Sequence, residues 1–355
     1  NFPMYLSLAP LAGIFSAGNQ VMHKPSEFTP ITSELLKEIC DSAFDETEFA
    51  TFLGGPDIGA AFTQLKFDHL LFTGSGNIGK HVMRAASENL VPITLELGGK
   101  SPVIVSDSSN IDITARRVMF NKTLNAGQIC LAPDYVYVHE TEKDNFVEAC
   151  KIQVNEFYSD LKYNPDYTSV INQKHYDRLN GLLSDAKDHG AELVEINPAN
   201  EDFSQQESHK IPPTLVLNPT DEMQIMKEEI FGPLLPIKTY KDINEPINYI
   251  NKNDKPLGLY YFGNNKNEEA KVVNSTTSGG VTVNDIMGHI QQNELGFGGV
   301  GPSGMGKYDG FDGFMNFSNN KPIYKQIGFG LDKLLDAIRP PYKGNIEDVL
   351  KKLLK

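Results

Sequence analysis

The sequence predicts an α/β protein built from two open, mostly parallel sheets, each flanked by helices, with a C-terminal tail after the second. Three observations lead there. The chain has 355 residues, beyond the roughly 250–300 at which a single hydrophobic core stops growing, so two domains are expected. Short β-branched and aromatic runs alternate with stretches of helical periodicity, the pattern of parallel strands joined by crossover helices. Gly74, Gly76 and Gly79 fall between one such run and one such stretch, where a strand turns into a helix.

The first alternation occupies residues up to about 105. QVMHK (20–24), FATFL (49–53), HLLFTG (69–74), ITLEL (93–97) and PVIVS (102–106) read as strands, with helical stretches near 33–42, 57–65 and 77–89 between them. A helix near 112–126, the strand YVYVH (135–139) and helices near 141–158 and 171–189 begin the second alternation. LPIKTY (235–240), GLYYFG (258–263) and GVTVND (280–285) supply its further strands. Asn197 to His209, polar and acidic, reads as an exposed loop. In the tail, Leu331, Leu334, Leu335 and Ile338 precede a Pro340-Pro341 break. Ile346, Val349, Leu350, Leu353 and Leu354 then follow at amphipathic spacing, with Asn345 as the N-cap. Such a helix packs against its own or a partner subunit, or touches a membrane surface through the apolar face that Lys351, Lys352 and Lys355 flank.

With 32 basic and 46 acidic residues the net charge is −14, and a chain this acidic without a Lys/Arg run repels phosphate backbones, so no nucleic-acid partner is expected. Cys40, Cys130 and Cys150 form no CxxC pair and no zinc spacing, which suits a reducing cytoplasm. His23, His69, His81 and His289 are not clustered, so no metal is expected. No run reaches the ~18 apolar residues that span a bilayer, and no signal-peptide pattern is visible. The location expected is cytoplasmic.

Chemistry concentrates at two positions 34 residues apart, Glu96 in TLELGGKSP (94–102) and Cys130 in NKTLNAGQICLA (121–132). A thiol in a small-residue loop and a remote carboxylate beside a glycine turn suit covalent catalysis, one group attacking and the other activating water. Alone, an intracellular cysteine such as Cys130 is more often a buried small hydrophobe than a nucleophile, and only the flanking segments reverse that reading. Gly74, Gly76 and Gly79 satisfy GxGxxG, which sets a dinucleotide phosphate on a helix N-terminus. The same spacing also serves an ordinary strand-to-helix turn. Glu96 falls close to the place where an acidic residue would take the ribose of such a cofactor.

FTGSGNIG (72–79), LELGGKSP (95–102), NAGQIC (125–130), EEIFGPLLP (228–236) and GFGGVGPSGMG (296–306) stand in the order and spacing of the aldehyde dehydrogenase superfamily, as do NFP (1–3) and KPSE (24–27). APDYVYVH (132–139), YYFGNN (260–265), VNDIMGH (283–289), GFGGVGPSGMGKYDGFDGF (296–314) and RPPY (339–342) look like its coniferyl-aldehyde branch, near the fatty-aldehyde and class 3 enzymes. The resemblance implies two Rossmann-related open-sheet domains. Residues 1–100 with a return segment at 300–318 form the cofactor domain, 101–295 the catalytic domain and 319–355 the tail.

The same resemblance assigns roles. Cys130 is the nucleophile, Glu96 the general base rather than a ribose ligand, and the Asn1 amide joins the Cys130 N–H as oxyanion donors. Ser75, between Gly74 and Gly79, meets the pyrophosphate, while Lys24 and Glu27 reach the adenine ribose. Glu229 and Phe231 clamp the nicotinamide ribose, with Glu228 a rival that only the alignment on IFGP separates. Lys100 lies near the active site in relatives, though a loop lysine there could equally be solvated. The reaction implied is NAD-dependent oxidation of a small-molecule aldehyde to the acid through a thioester, with NADP possible as cofactor and a homodimer as the assembly. The alternatives are a CoA-acylating dehydrogenase and a non-catalytic fragment. Relatives usually precede NFP with Pro-Trp and a sizeable N-terminal region, so a chain opening at Asn1 is expected to be truncated.

Overall fold

The computed structural model describes residues 1–326, 339–341 and 346–354. Leu331, Leu334, Leu335, Ile338 and the N-cap Asn345 lie outside the described residues. Two compact units divide the chain, Asn1–Ser318 and Asn319–Lys355. The second holds the helix Ile346–Leu353, with Glu347 and Asp348 in its first turn and Lys351 and Lys352 in its last. No helix among the described residues is long and apolar enough to cross a membrane.

In the first unit the strands are β1 Val21–His23, β2 Phe49–Thr51, β3 Leu70–Thr73, β4 Ile93–Glu96, β5 Pro102–Val105 and β6 Tyr135–His139. They continue with β7 Glu192–Glu195, β8 Thr214–Leu217, β9 Leu234–Tyr240, β10 Gly258–Phe262, β11 Gly280–Val283 and β12 Gly304–Met305. Seven of them form one sheet in the order β11-β10-β5-β6-β9-β8-β7. Its neighbours are parallel except β7 and β8. Its middle strands are buried on both sides, which is why PVIV and YVYV are continuous apolar runs rather than alternating ones. Val103, Val105, Val136 and Val138 face one layer, containing helices Ile111–Thr123 and Lys143–Phe157. Ile104, Tyr135 and Tyr137 face the other, containing Gln173–Asp188, Asn244–Lys252 and Lys266–Ser275. Each fully buried Val or Leu in these layers contributes about 1.5–3 kcal/mol, so the sheet is a rigid platform for the loops at its edge.

The strands expected before residue 105 do not share one sheet. β1 and β2 pair with each other, β3 and β4 pair with β12, and β5 enters the seven-stranded sheet. The break comes at Gly98-Gly99, where Gly99 takes φ +149, a conformation closed to most side chains, and carries the chain from β4 across to β5. β7 and β8 were not expected, because their apolar runs are short and Pro212-Pro213 precedes the second. β12 has only two residues in a glycine-rich stretch. Its Gly304, at φ +143, packs so tightly that a Cβ would lie 2.2 Å from the Leu95 carbonyl oxygen. That strand brings the 296–306 segment against β4, pairing Gly304 with Glu96.

Candidate active site

The thiol loop begins where the helix Ile111–Thr123 ends. Asn125, Ala126 and Gly127 then take φ values of 52°, 51° and 71°, a left-handed run that turns the chain back on itself. At Gly127 a Cβ would sit 2.3 Å from the Gly232 carbonyl oxygen, so glycine alone fits there. Gln128 ties the loop down. Its side-chain nitrogen donates to the carbonyls of Asn125 (3.0 Å) and Ser169 (3.1 Å), and its oxygen accepts from the Ile171 N–H (3.0 Å). A buried amide satisfied from three sides fixes the backbone it belongs to. Cys130 follows, half-buried and unpaired.

Glu96 ends the central strand of the small sheet, between Thr73 of β3 and Gly304 of β12. It is 1% exposed, and neither carboxylate oxygen has a hydrogen-bond partner. Burial pushes its carboxyl above the usual range, while Cys130 and Thr73 beside it favour the charged form. The Cys130 thiol is pushed well up, first by burial and then by the Glu96 and Glu229 carboxylates. The sulfur is therefore a resting thiol with a base at hand rather than a standing thiolate. Asn1 is exposed beside them. Its carbonyl accepts from the Asn125 side chain at 3.4 Å, and its Oδ1 accepts from the Phe2 N–H at 3.1 Å.

The glycine loop and Glu96 are parts of one element. Gly74 N–H donates to the Glu96 carbonyl (3.1 Å), and Ser75 caps the helix Gly76–Ser87 by accepting from the Ile78 N–H at 3.5 Å. Gly79 lets that helix approach β4, since a Cβ would lie 2.8 Å from a Leu97 methyl. At Gly76 a Cβ would meet nothing within 4 Å, which leaves the helix N-terminus open to an anion. Lys24 and Glu27, just past β1, pair with each other at 2.6 Å. Burial opposes ionisation of Glu27, but the Lys24 hydrogen bond and charge outweigh it and hold the carboxyl below its ordinary value.

Glu228 and Glu229, which sequence could not separate by chemistry, point different ways. Glu228 is exposed and accepts from Arg178 at 3.2 Å. Glu229 turns inward against the glycine turn, where a Cβ on Gly98 would lie 2.1 Å from its Oε1. Burial raises its carboxyl to about 7. Phe231 follows at φ +48. Arg178 fixes this segment from outside by donating to the carbonyls of Glu229 (3.2 Å) and Ile230 (2.5 Å).

Lys100 is no solvated loop lysine. It donates to the Asp134 carboxylate and to the carbonyls of Ile225 (2.7 Å) and Glu228 (2.9 Å), while the second Asp134 oxygen accepts from Ile230 N–H (2.9 Å). Behind it lies Lys122, fully buried with one bond to the Pro133 carbonyl (2.8 Å) and lowered by burial to about 7. Sequence reasoning missed Gln128, Asp134, Lys122 and Arg178, whose roles arise from partners far along the chain. Cys40 and Cys150 are buried in apolar clusters. No group of three metal-ligating side chains occurs among the described residues.

Comparison with known proteins covers this whole arrangement. A profile of the aldehyde dehydrogenase family matches residues 1–323. A probable coniferyl aldehyde dehydrogenase of Caulobacter vibrioides is 55% identical over 350 residues, covering 99% of this chain and 72% of that protein. The solved substrate-bound AldH of Staphylococcus aureus superposes with a TM-score of 0.87 at 40% identity, over 100% of this chain and 75% of that one. The betaine aldehyde dehydrogenase of Staphylococcus aureus, solved in complex with NAD+, superposes with a TM-score of 0.81 at 26% identity, over 89% of this chain and 63% of that one. Since the family match runs through every loop that carries the side chains described above, the chain belongs to the aldehyde dehydrogenase family and is an oxidoreductase.

Proposed function

We propose that this protein oxidises an aldehyde to its carboxylic acid with NAD, through a thioester on Cys130. The observation that carries the reading is Glu96, a buried carboxylate without a protein partner next to a free thiol. Glu96 takes the thiol proton and the Cys130 sulfur attacks the aldehyde carbon. The Cys130 N–H and the Asn1 amide face the resulting oxyanion. Bound NAD supplies the acceptor for the hydride that the adduct loses. Glu96 releases the thiol proton to solvent and then removes a proton from water; the water oxygen bonds to the thioester carbon, the carbon–sulfur bond breaks, and the proton on Glu96 passes to the departing sulfur, regenerating the thiol with the acid.

Several features support a dinucleotide on this chain. The N-terminus of Gly76–Ser87, bordered by Gly74, Ser75 and Gly79, is open to a pyrophosphate. Lys24 and Glu27 offer a donor and an acceptor for ribose hydroxyls, and Glu27 favours NAD because a 2′-phosphate would face its carboxylate. Lys24 leaves NADP within reach. Glu229 and Phe231 would hold the nicotinamide ribose. On this reading residues 1–100 and 300–318 form the cofactor domain and 101–295 the catalytic domain, a division favoured by the pairing of β12 with β4.

Coniferyl aldehyde is the proposed substrate, from the name of the Caulobacter relative. The test is NADH formation with coniferyl aldehyde and with a medium-chain aliphatic aldehyde, each with and without CoA. Turnover in water alone supports the proposal. Turnover that requires CoA would move the reading to an acylating dehydrogenase, against the buried Glu96 base.

A further inference from the structure

We infer that Tyr308 is a catalytic residue of the hydrolytic half-reaction, its phenol oxygen holding the water that Glu96 deprotonates beside the Cys130 thioester. The inference rests on the proposed reading of Cys130 and Glu96 and adds a third group to it.

Five tyrosines are among the largest fully buried side chains, Tyr167, Tyr240, Tyr260, Tyr261 and Tyr308. Four of them use the hydroxyl as packing requires. Tyr167 donates to the Ile211 carbonyl (2.7 Å), Tyr240 to that of Val105 (3.3 Å), Tyr260 to that of Leu131 (2.7 Å) and Tyr261 to the Glu268 carboxylate (2.7 Å). Tyr308, 1% exposed, has no partner for its buried hydroxyl. A phenol left unpaired in the interior costs about 1–3 kcal/mol, which a purely structural tyrosine would avoid. Both Glu96 oxygens are orphaned in the same way. Tyr308 belongs to the core cluster against which Cys130 packs, and burial first, and then the Glu96 and Cys130 charges, push its hydroxyl well above the usual range, so the phenol keeps its proton.

The backbone explains why these groups converge. β12 pairs Gly304 with Glu96, and the same segment reaches Tyr308 four residues later, turning at Gly306 with φ +76. Tyr308 N–H donates to the Phe297 carbonyl (3.1 Å), and its ring stands edge-on to Phe297 with centroids 5.5 Å apart. Its carbonyl is packed on Gly313, where a Cβ would sit 2.2 Å from the Tyr308 oxygen. The ring is thus aimed by contacts independent of the hydroxyl.

Hydrogen-bond accounting gives the role. A water placed among these groups donates one hydrogen to Glu96 and the other to the Tyr308 oxygen, which leaves a lone pair for the thioester carbon. As Glu96 takes the first proton, the water oxygen bonds to that carbon and the carbon–sulfur bond breaks. The proton on Glu96 then passes to the departing sulfur. Tyr308 exchanges no proton overall. It fixes the direction of attack.

The test is Tyr308→Phe in the full chain, which keeps the ring and removes the oxygen. With aldehyde and NAD, the expected result is a normal burst of NADH followed by a steady rate at least about 10-fold below wild type. An independent arm uses p-nitrophenyl acetate, which acylates Cys130 without cofactor, and follows the acetyl-enzyme by intact mass. The variant's acetyl group should persist at least about 10-fold longer, a first-order lifetime unaffected by any fraction of unfolded protein. Equal lifetimes in wild type and variant would overturn the role of Tyr308 while leaving Cys130 and Glu96 in place. Failure of wild-type Cys130 to take the acetyl group would overturn the inference together with the proposed function.

Discussion

Replacing Lys100 with methionine keeps an unbranched apolar stem and removes three hydrogen bonds, so the variant isolates what the ammonium does. Asp134, 3% exposed, would keep only the Ile230 N–H at 2.9 Å, a buried carboxylate without its cation. Breaking a buried pair from one side costs about 3–5 kcal/mol, and the 18% exposure of the Lys100 side chain places this case near the lower end, about 3 kcal/mol. An unfolding entropy of about 2.1 cal/mol/K per residue gives roughly 0.7 kcal/mol/K for a chain of this length, so Tm should fall by about 4 °C. The Glu228 carbonyl loses its anchor next to Glu229, while Arg178 still holds the Glu229 and Ile230 carbonyls. The KM for NAD should therefore rise a few-fold rather than collapse. Calorimetry on wild type, Lys100→Met, Asp134→Asn and the double variant forms a cycle whose coupling should be about 2 kcal/mol. Additive losses, or a Lys100→Met melting point within about 1 °C of wild type, would show that the ammonium is a solvated bystander.

Other substitutions probe the chemistry directly. Cys130→Ala should abolish NADH formation while NAD binding, measured by calorimetric titration, survives; turnover above about a hundredth of wild type would remove Cys130 as the nucleophile. Glu96→Gln should give a stoichiometric NADH burst and little steady rate. In the wild type the hydrolytic rate should climb with pH through an inflection above the ordinary carboxylate range, because burial raises Glu96 and only its ionised form accepts a proton. Glu229 has a folded pKa of about 7 against an ordinary 4.5, so it contributes stability at low pH that fades as pH rises through 7. That separation corresponds to about 3 kcal/mol, trimmed to about 2 kcal/mol because the residue is only half-buried. Glu229→Gln should accordingly gain about 2 kcal/mol on wild type between pH 5 and pH 8 in urea titrations, and parallel pH dependences would show that its carboxyl is not held up by burial.

Elements with a local cause were legible in the sequence. PVIV, YVYV and GLYYF form central strands because an apolar β-branched or aromatic run of that length has few other places to go. Cys130, Glu96 and the glycine loop stand out locally as reactive or turn-forming groups beside small residues, but the roles expected of them came from the family resemblance of the flanking segments. What escaped depends on which distant segments meet. A lysine after two glycines reads as exposed until Asp134, Ile225 and Glu228 close over it. A tyrosine in GKYDGF carries no sign that its hydroxyl will be buried unpaired. A two-residue strand such as β12 lies below the length at which alternation has meaning.

The spacing between Glu96 and Cys130 nevertheless has a physical origin that unites the legible and illegible parts. β5 and β6 pair in parallel with Pro102 beside Tyr135 and Val103 beside Val136. Asp134 N–H donates to the Ser101 carbonyl at 2.9 Å just before both strands begin. Lys100 and Asp134, 34 residues apart, close their ion pair at that junction. Four residues upstream of each stand Glu96 and Cys130, separated by the same interval. The register of two buried strands thus sets the separation of the two reactive groups, and the Lys100–Asp134 pair pins the junction from which both approach loops depart. Shifting β6 by one residue relative to β5 would turn Val136 and Val138 into the layer that Tyr135 and Tyr137 fill, and force the two tyrosines into the space of the valines. The alternation of small and large side chains between the two buried faces, which locks the register, therefore also sets where the Glu96 and Cys130 loops depart, so on the proposed mechanism a substitution that softens the β5–β6 core should reduce turnover even where it touches neither group.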